Sequence, residues 1–366
     1  MLKVIIVVGA RPNFVKAAPL VEAMKRREHE FAPIVVHTGQ HYDYRMSDAF
    51  LSDLDLPSPD VCLEVGSASQ AAQTAAIMQK FEPVVLNEKP DWVIVVGDVN
   101  STLAAALVAV KLGIKVAHVE AGLRSRDRSM PEEINRLLTD QIADLLFTPS
   151  EDADRNLLAE GIPAARIFLV GNIMIDSLNK YLDKAKALPV RENLGLADAN
   201  YAVLTLHRPS NVDDRETFSG ILDGLAEIGE RVPVIFPVHP RTRKTIGDLG
   251  LTEKITGLTG LRMIEPLGYL DFLSLYSNAK LVLTDSGGLQ EETTVLGIPC
   301  LTLRETTERP ITVELGTNVV VGTDPQKITA AAFAILSDDA TIKWPNVPPL
   351  WDGHTADRIV DVLARP

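Results

Sequence analysis

The sequence predicts an α/β protein with two doubly wound domains, each built on a parallel sheet, and three observations lead to this prediction. Short apolar runs alternate with longer segments of helical period, which is typical of strands that are buried on both faces and joined by helices. The runs form two separate series along the chain. The length of 366 residues exceeds one ordinary domain and suits two.

The first series predicts the strands of one parallel sheet in the N-terminal half. Its apolar runs are VIIVV (4–8), PIVVH (33–37), WVIVV (92–96), KVAHV (115–119), LLFT (145–148) and RIFLV (166–170). Amphipathic stretches such as APLVEAMKRR, STLAAALVAVKLG and SEDADRNLLAEG lie between the runs and predict the intervening helices. Helices that alternate with strands in this way cover both faces of a sheet.

The second series predicts another sheet of similar build. Its runs are YAVLTL (201–206), VPVIFPV (232–238), LRMI (261–264), KLVLT (280–284) and PCLTL (299–303). No further strand-like run follows GNIMID (171–176) until the second series begins at residue 201. We therefore predict one domain of residues 1–172 and another of residues 173–353, with the helical segment 354–366 packed back on the first.

Composition excludes several classes of function. The chain has 49 acidic and 36 basic residues and a net charge of −13, which disfavours a nucleic-acid partner. Cys62 and Cys300 form no CxxC motif, so we expect no disulfide framework and no metal site, only two buried thiols. The run from Val4 to Val8 is too short to span a membrane and lacks a signal-peptide pattern. We expect a cytoplasmic protein without a membrane partner.

The segment after the first strand, GARPNFVK, predicts an anion site, because ligands of open α/β sheets bind beyond the carboxyl ends of the strands. Gly9 permits a tight turn, and Pro12 suits the first turn of a helix. Arg11 and Lys16 add two cations to that helix N-terminus. A solvated turn with two surface cations is the alternative. The segment is not GxGxxG, so a dinucleotide fingerprint is absent.

Carboxylates follow two further strands of the first series. Asp98 lies in GDVNST and Glu120 in HVEAGLRS, and Glu132 lies beyond Glu120 in MPEEINR. If the three converge, they raise one another's pKa, which is how an acid and a base are made at neutral pH.

Structural interpretations compete with this catalytic one. The GDVNST segment is also typical of a helix N-cap cluster. Ser129 and Glu132 match the S-x-x-E capping box, with Pro131 in the first helical turn. Glu132 and Arg136 have the spacing of a helical ion pair.

Histidines and arginines follow strands of the second series. His207 and Arg208 end YAVLTLHR, a position where a histidine serves catalysis or satisfies local structure. The next strand is followed by VHPRTRK, with His239, Arg241 and Arg243. These side chains predict either ligand contacts or a polar rim.

The segment KLVLTDSGGLQEE is the strongest local signal in the chain. Ser286, Gly287 and Gly288 lie between a strand and a helix, an arrangement that binds phosphate through backbone N–H groups. Glu292, about one turn into the helix, suits a diol such as a ribose. The absence of GKS/T excludes a Walker P-loop. Two further cations follow the next strand in LTLRETTERP, Arg304 and Arg309.

Taken together, GARPNFVK, GDVNSTLA, HVEAGLRS, MPEEINR, TDSGGLQEE and RETTERP resemble the non-hydrolysing UDP-N-acetylglucosamine 2-epimerases, in order over about residues 3 to 325. The resemblance implies the GT-B architecture, two Rossmann-like domains with the nucleotide-sugar in the cleft between them. It implies a homodimer that serves cell-envelope polysaccharide biosynthesis and needs no metal or other cofactor.

The resemblance also implies roles for individual residues. The positions that match catalytic residues of the family are Asp98, Glu120, Glu132 and His207. The positions expected to bind substrate are Arg11, Lys16, Arg136, His239, Phe272, Ser286, Gly287, Gly288, Glu292 and Arg309. The implied reaction eliminates UDP across C1–C2 of the sugar to a 2-acetamidoglucal and adds it back with the proton on the opposite face.

One segment departs from the family pattern and leaves alternatives open. The family typically has H-R-R-E-N where this chain has His207–Asn211, and the arginine expected near SASQ (67–70) is missing. Gln40, His41 and His239 do match that regulatory neighbourhood, but without the arginines we predict no activation by a second substrate molecule. A UDP-sugar hydrolase, an epimerase of a UDP-2,3-diacetamido uronic acid, a GT-B glycosyltransferase and a nucleotide-sugar-binding regulator are the alternatives.

Overall fold

The computed structural model describes residues 1–40, 58–197, 199–337 and 347–365. The chain divides into two compact units, of which unit one is Met1–Lys180 with Pro349–Pro366 and unit two is Tyr181–Pro348. The domain limits predicted from the sequence stay a prediction.

The described part of unit one forms a seven-stranded parallel sheet in the order β3-β2-β1-β4-β5-β6-β7. The strands are β1 (Leu2–Val8), β2 (Phe31–His37), β3 (Val61–Cys62), β4 (Trp92–Val96), β5 (Lys115–Val119), β6 (Leu145–Thr148) and β7 (Ile167–Leu169). The strand order reverses at β1, which pairs with β2 on one side and β4 on the other. Such a switch point leaves a crevice beyond the carboxyl ends of the strands.

Helices connect these strands. They are α1 (Arg11–Lys25), α2 (Gln70–Glu88), α3 (Asn100–Lys111), α4 (Pro131–Ile142), α5 (Glu151–Ala159) and α6 (Ile173–Lys186), with a 3₁₀ turn at Ala164–Arg166. The apolar faces of α2 and α3 and the strands beneath them share one core, in which Phe81 and Val93 are fully buried. Each such side chain contributes roughly 1.5–3 kcal/mol when it is removed from water.

The described part of unit two forms a six-stranded parallel sheet in the order β10-β9-β8-β11-β12-β13. The strands are β8 (Ala202–Thr205), β9 (Val234–Pro237), β10 (Leu261–Ile264), β11 (Leu281–Thr284), β12 (Cys300–Thr302) and β13 (Asn318–Val320). The helices are α7 (Val190–Asn193), α8 (Pro209–Val212), α9 (Arg215–Gly229), α10 (Pro240–Asp248), α11 (Thr252–Thr256), α12 (Tyr269–Tyr276), α13 (Gly287–Leu296), α14 (Ile311–Glu314) and α15 (Pro325–Leu336).

The predicted fold class, α/β with two Rossmann-like parallel sheets, is confirmed. Every apolar run named above forms a strand. The sequence missed β3 and β13, which have 2 and 3 residues and are too short for a periodic signal. The expectation of two buried thiols is wrong for Cys62, which is exposed, and right for Cys300.

A final described helix, α16 (Thr355–Leu363), packs on α1 in unit one. Its N-terminal amides at Thr355 and Ala356 donate to the carboxylate of Asp176, at 3.1 and 2.8 Å. Arg27, in the turn after α1, forms an ion pair with Asp361 at 2.7 Å. These contacts fix α16 against α6 and against the turn that follows α1. Across the described ranges, no helix is both long and apolar enough for a membrane span.

Candidate active site

Three loops of unit one meet at the carboxyl ends of β1, β4 and β5, which are neighbours in the sheet. Asn13 on α1 joins the first two loops. Its Oδ1 accepts the N–H groups of Gly9 and Ala10 at 3.2 and 3.0 Å, and its Nδ2 donates to the carbonyl of Val96 at 3.0 Å. The start of α1 is therefore held in a fixed position beside the loop that carries Asp98.

Glu120 forms a buried ion pair with Lys16, in which the two side chains are 4% and 9% exposed. The backbone of Glu120 has φ 73°, in the left-handed region that residues other than glycine rarely adopt. The N–H groups of Glu120 and Ala121 both donate to the carbonyl of Phe147, which holds this turn. Strain of this kind costs about 1–3 kcal/mol and clusters at functional sites.

Asp98 faces a guanidinium group. Arg136 Nη2 lies 2.7 Å from Asp98 Oδ2, and Arg136 Nη1 lies 2.6 Å from Glu133 Oε2. Glu133 also accepts the backbone N–H groups of Ser125 and Arg126 at 2.9 and 2.8 Å. Burial raises the pKa of Glu133, but the backbone donors and Arg136 outweigh it, so the pKa lies below its ordinary value. Arg136 thus joins Asp98 to the loop after Glu120.

Two structural interpretations from the sequence are wrong at the start of α4. Among the described contacts, the N-cap residue is Met130 without a side-chain cap, and Ser129 Oγ donates to Asp127 instead. The predicted pair of Glu132 with Arg136 is also wrong, because Arg136 binds Asp98 and Glu133. The position of Pro131 in the first helical turn is confirmed.

The N-cap interpretation of the GDVNST segment is wrong as well. Val99 is the N-cap residue of α3, and within the described residues it makes no side-chain cap hydrogen bond. Asp98 and Glu120 each contact a cation, and Glu132 is half-buried in the first turn of α4. The convergence of the three carboxylates, with its effect on their pKa values, stays a prediction.

The sequence missed a buried charge cluster beneath these loops. His118 contacts Asp140 on α4, and Arg124 contacts both Asp140 and Glu160. Asp140 is fully buried, and an acidic residue on the buried face of a helix was the available signal.

In unit two, Asp285 organises the loop that carries His207. Its Oδ2 accepts the N–H groups of His207 and Arg208 at 2.9 and 2.8 Å and the amide of Asn211 at 3.2 Å. Its Oδ1 lies 2.9 Å from His207 Nδ1. Burial raises the pKa of Asp285, but His207 and these donors outweigh it and lower the pKa. The His207 side chain is 50% exposed, and the imidazole geometry points its Nε2 away from Asp285. Sequence reasoning overlooked Asp285.

The glycine turn before α13 lies against an arginine. A Cβ atom at Gly287 would lie 2.4 Å from Nη1 of Arg309, so only glycine leaves room for the guanidinium. Arg309 is held by Glu291 at 2.8 Å. The described guanidinium groups that share the buried carboxylate of Glu308 are Arg208, Arg304 and Arg309. Guanidinium groups beside a helix N-terminus suit an anion.

Glu292 lies on α13 beneath two tyrosines. Tyr276 donates to its carboxylate at 2.8 Å and Tyr269 at 3.4 Å. Burial raises the pKa of Glu292 to about 7, although the hydroxyl of Tyr276 opposes this shift. The ring of Phe272 packs on Tyr276 with centroids 5.1 Å apart. Neither tyrosine was predicted, although both occur in PLGYLDFLSLY at a spacing of seven residues.

The described contacts of two further predicted residues, His239 and Gln40, lie within their own units. His239 is the N-cap residue of α10, and its Nδ1 accepts the N–H of Arg241 at 3.3 Å. Gln40 is buried and accepts from the backbone and hydroxyl of Ser101. Arg11 begins α1, but its side chain lies outside the described set, as does His41. A cluster of three or more potential metal ligands does not occur in the described residues.

Comparison with known proteins assigns the family. The model of the family described as UDP-N-acetylglucosamine 2-epimerase matches residues 22–364. The chain belongs to this family. Since members of the family are epimerases, this protein is an isomerase, and the resemblance stated from the motifs is confirmed.

Individual relatives match over nearly the whole chain. The UDP-N-acetylglucosamine 2-epimerase of Methanocaldococcus jannaschii is 44% identical, with 99% of each chain covered. Its crystal structure with UDP-GlcNAc and UDP superposes with a TM-score of 0.91, again over 99% of each chain. The UDP-2,3-diacetamido-2,3-dideoxy-D-glucuronate 2-epimerase of Pseudomonas aeruginosa is 40% identical, with 100% of each chain covered.

Proposed function

We propose that this epimerase interconverts UDP-N-acetylglucosamine and its manno epimer at C2. The observation that carries the proposal is the strained, buried Glu120 with its Lys16 partner, beside Asp98 at the neighbouring strand end. A carboxylate that is fixed at the mouth of a sheet suits proton transfer at carbon. The relative from M. jannaschii carries the same activity in its name and binds UDP-GlcNAc in its crystal structure.

The proposed chemistry is an elimination followed by an addition. A carboxylate removes the C2 proton, the C1–O bond breaks, and its electron pair leaves with the diphosphate of UDP. The intermediate is a 2-acetamidoglucal. UDP then adds back at C1 while an acid delivers a proton to the opposite face of C2. Asp98, Glu120 and Glu132 supply the base and the acid, and His207 donates from Nε2 to the departing diphosphate.

We assign the UDP moiety to the residues of unit two. The hydroxyl of Ser286, the amides at Gly287 and Gly288 and the guanidinium of Arg309 bind the diphosphate. Glu292 binds the ribose, and Phe272 lies near the uracil. The sugar-side contacts that we assign are Arg11, Lys16, Arg136 and His239.

The test is a proton and phosphorus NMR time course with UDP-N-acetylglucosamine in D₂O. We expect both epimers at equilibrium, deuterium at C2 and little free UDP. Free UDP with N-acetylmannosamine would instead show that the protein is a hydrolase. The altered His207–Asn211 segment would then be the first part of the chain to test as the cause. No reaction with this sugar would refute the proposed substrate.

A UDP-2,3-diacetamido uronic acid is the second candidate substrate. The P. aeruginosa relative supports it, and so do two exposed arginines in the loop after Glu120, Arg126 and Arg128. A cation at this position suits the carboxylate of a uronic acid. The comparison is made by offering both sugars at equal concentration. A kcat/KM that favours the uronic acid, and that falls in R126A or R128A, would select this candidate.

We further propose a cytoplasmic homodimer that supplies an amino sugar to a cell-envelope polysaccharide. Exposed apolar side chains near the C-terminal ends of adjacent helices in unit one support the dimer, namely Leu86 on α2, Val110 on α3 and Leu138 on α4. Light scattering after gel filtration should give twice the chain mass for the parent. A parent that elutes with the mass of one chain would contradict the dimer.

A further inference from the structure

His118 and Asp140 form a buried pair beneath the two loops that carry Asp98 and Glu120. Both side chains are 0% exposed, and His118 Nδ1 lies 2.6 Å from Asp140 Oδ1. On the other side of the ring, Nε2 lies 2.7 Å from the carbonyl oxygen of Gly97. Each ring nitrogen therefore faces an oxygen atom, and the ring has no surface accessible to bulk solvent.

The partners determine how many protons the ring carries. A carbonyl oxygen only accepts, so Nε2 must bear a hydrogen. Asp140 Oδ2 already accepts from the Gly122 amide at 3.1 Å and from Arg124 at 2.7 Å, which favours the carboxylate form. Although burial raises the pKa of Asp140, His118 and Arg124 outweigh it and lower the pKa. A carboxylate also accepts, so Nδ1 must bear a hydrogen too.

Arg124 also favours the charged form of Asp140. Its guanidinium binds Asp140 and Glu160 together, and the side chain of Arg124 is 2% exposed whereas that of Glu160 is 26% exposed. The fully buried Asp140 therefore has a buried cation as its partner, as a buried carboxylate requires.

We propose that His118 is a buried imidazolium which, with Asp140, positions the two catalytic loops. Gly97 immediately precedes Asp98, and its carbonyl is held by the ring. The Gly97 amide donates to the carbonyl oxygen of Val119 at 3.0 Å, and Val119 immediately precedes Glu120. Asp140 holds Gly122 on the other side of Glu120. The proposal rests on the proposed function, because it assigns the catalytic proton transfers to these loops.

The first test counts the ring protons directly. Ligand-free protein with ¹⁵N-labelled histidine is examined by two-dimensional NMR at pH 7, and the His118 signals are assigned by their loss in H118L. We expect both ring nitrogens of His118 to be protonated. One unprotonated nitrogen would overturn the proposal. This result does not depend on which sugar the enzyme accepts, so it stays separate from the outcome of the epimerase assay.

The variant D140N gives an internal control. Its amide can still accept from Gly122 and Arg124 and can donate to Nδ1, so the links to Gly97 and Gly122 survive while His118 becomes neutral. We expect NMR to show one unprotonated nitrogen, because the side-chain amide donates to Nδ1. Two protonated nitrogens in D140N would overturn the assigned partner.

The variant H118L removes the link to Gly97. We expect kcat to fall roughly 10- to 100-fold with a small change in KM, because a displacement of about 1 Å at a catalytic group has an effect of this size. UDP affinity should equal that of the parent, since the proposed diphosphate residues belong to unit two. His29, which is 76% exposed, supplies the control variant H29L.

Two results in H118L would contradict a positioning role, namely an unchanged kcat, or a loss of UDP affinity that parallels the loss of kcat. If H118L does not fold, as judged by circular dichroism, the proton count and D140N decide the question. An inactive parent on every UDP-sugar tested would refute the proposed function and leave the proton count standing.

Discussion

Glu292 should make the stability of unit two depend on pH, and the variant E292Q should remove this dependence. The carboxyl group is buried, with 6% exposure, and burial raises its pKa from 4.5 to about 7. A glutamine is neutral at every pH and can still accept from Tyr276. The substitution therefore removes the titration while it keeps the shape of the site.

The sign of the effect follows from proton counts. Between pH 4.5 and 7 the unfolded chain has released the proton that folded unit two retains, so stability falls as pH rises. The stabilisation is fully present below the unfolded pKa and is lost once the pH passes the folded pKa. One pKa unit corresponds to about 1.4 kcal/mol, so the loss between pH 5 and pH 9 is about 2.5 kcal/mol.

Urea unfolding at several pH values measures this quantity. The free energy of unfolding of the parent minus that of E292Q should fall by about 2.5 kcal/mol from pH 5 to pH 9. Taking the difference cancels the other titrating groups. Glu227, an exposed residue on α9, provides the control E227Q, which should track the parent at every pH. A parent and an E292Q variant with parallel pH profiles would refute the raised pKa.

Two further substitutions test unit two. D285N keeps an oxygen for the backbone donors but removes the negative charge beside His207. The ring then supplies less positive charge to the departing diphosphate, so kcat should fall roughly 100-fold with little change in KM; a parent-like kcat would show that the pair does not assist the reaction. G287A places a methyl group against Arg309 and should weaken UDP binding about 10-fold or more in calorimetry. Gly247, with open space around its Cβ position, supplies the matched control G247A. Equal UDP affinities in G287A and G247A would contradict the close approach of Arg309 to Gly287.

The fold was predictable because its signal is local. Buried strands such as β4 and β11 appear as uninterrupted apolar runs, and the glycine turn before α13 sits where a helix begins. The capping box at Ser129 failed for a local reason too, since the hydroxyl donates to Asp127 instead of capping the helix.

The partners within the site were not predictable in this way. The pair of Lys16 with Glu120 depends on the spatial order of β1, β4 and β5, which no short window contains. Arg136 shows why local spacing is not sufficient. Helical spacing predicted Glu132 as its partner, whereas Arg136 contacts Asp98, which lies in another loop. Asp285 and Asp140 hold their neighbours in place because both carboxylates are fully buried. Whether a single acidic residue is buried depends on how distant segments pack, which a short sequence window does not show.

The attachment of α16 to α1 has a consequence for synthesis on the ribosome. Residues 181–348 are contiguous and have their own sheet, so unit two can fold as soon as α15, which completes its core, has emerged. Unit one cannot be completed in this way, because the helix that binds Asp176 and Arg27 is translated after all of unit two. The amides of Thr355 and Ala356 reach Asp176 across 179 and 180 residues of sequence. Unit one, which is begun first, is therefore finished last, and its early segments must wait in a partly open form that chaperones can recognise.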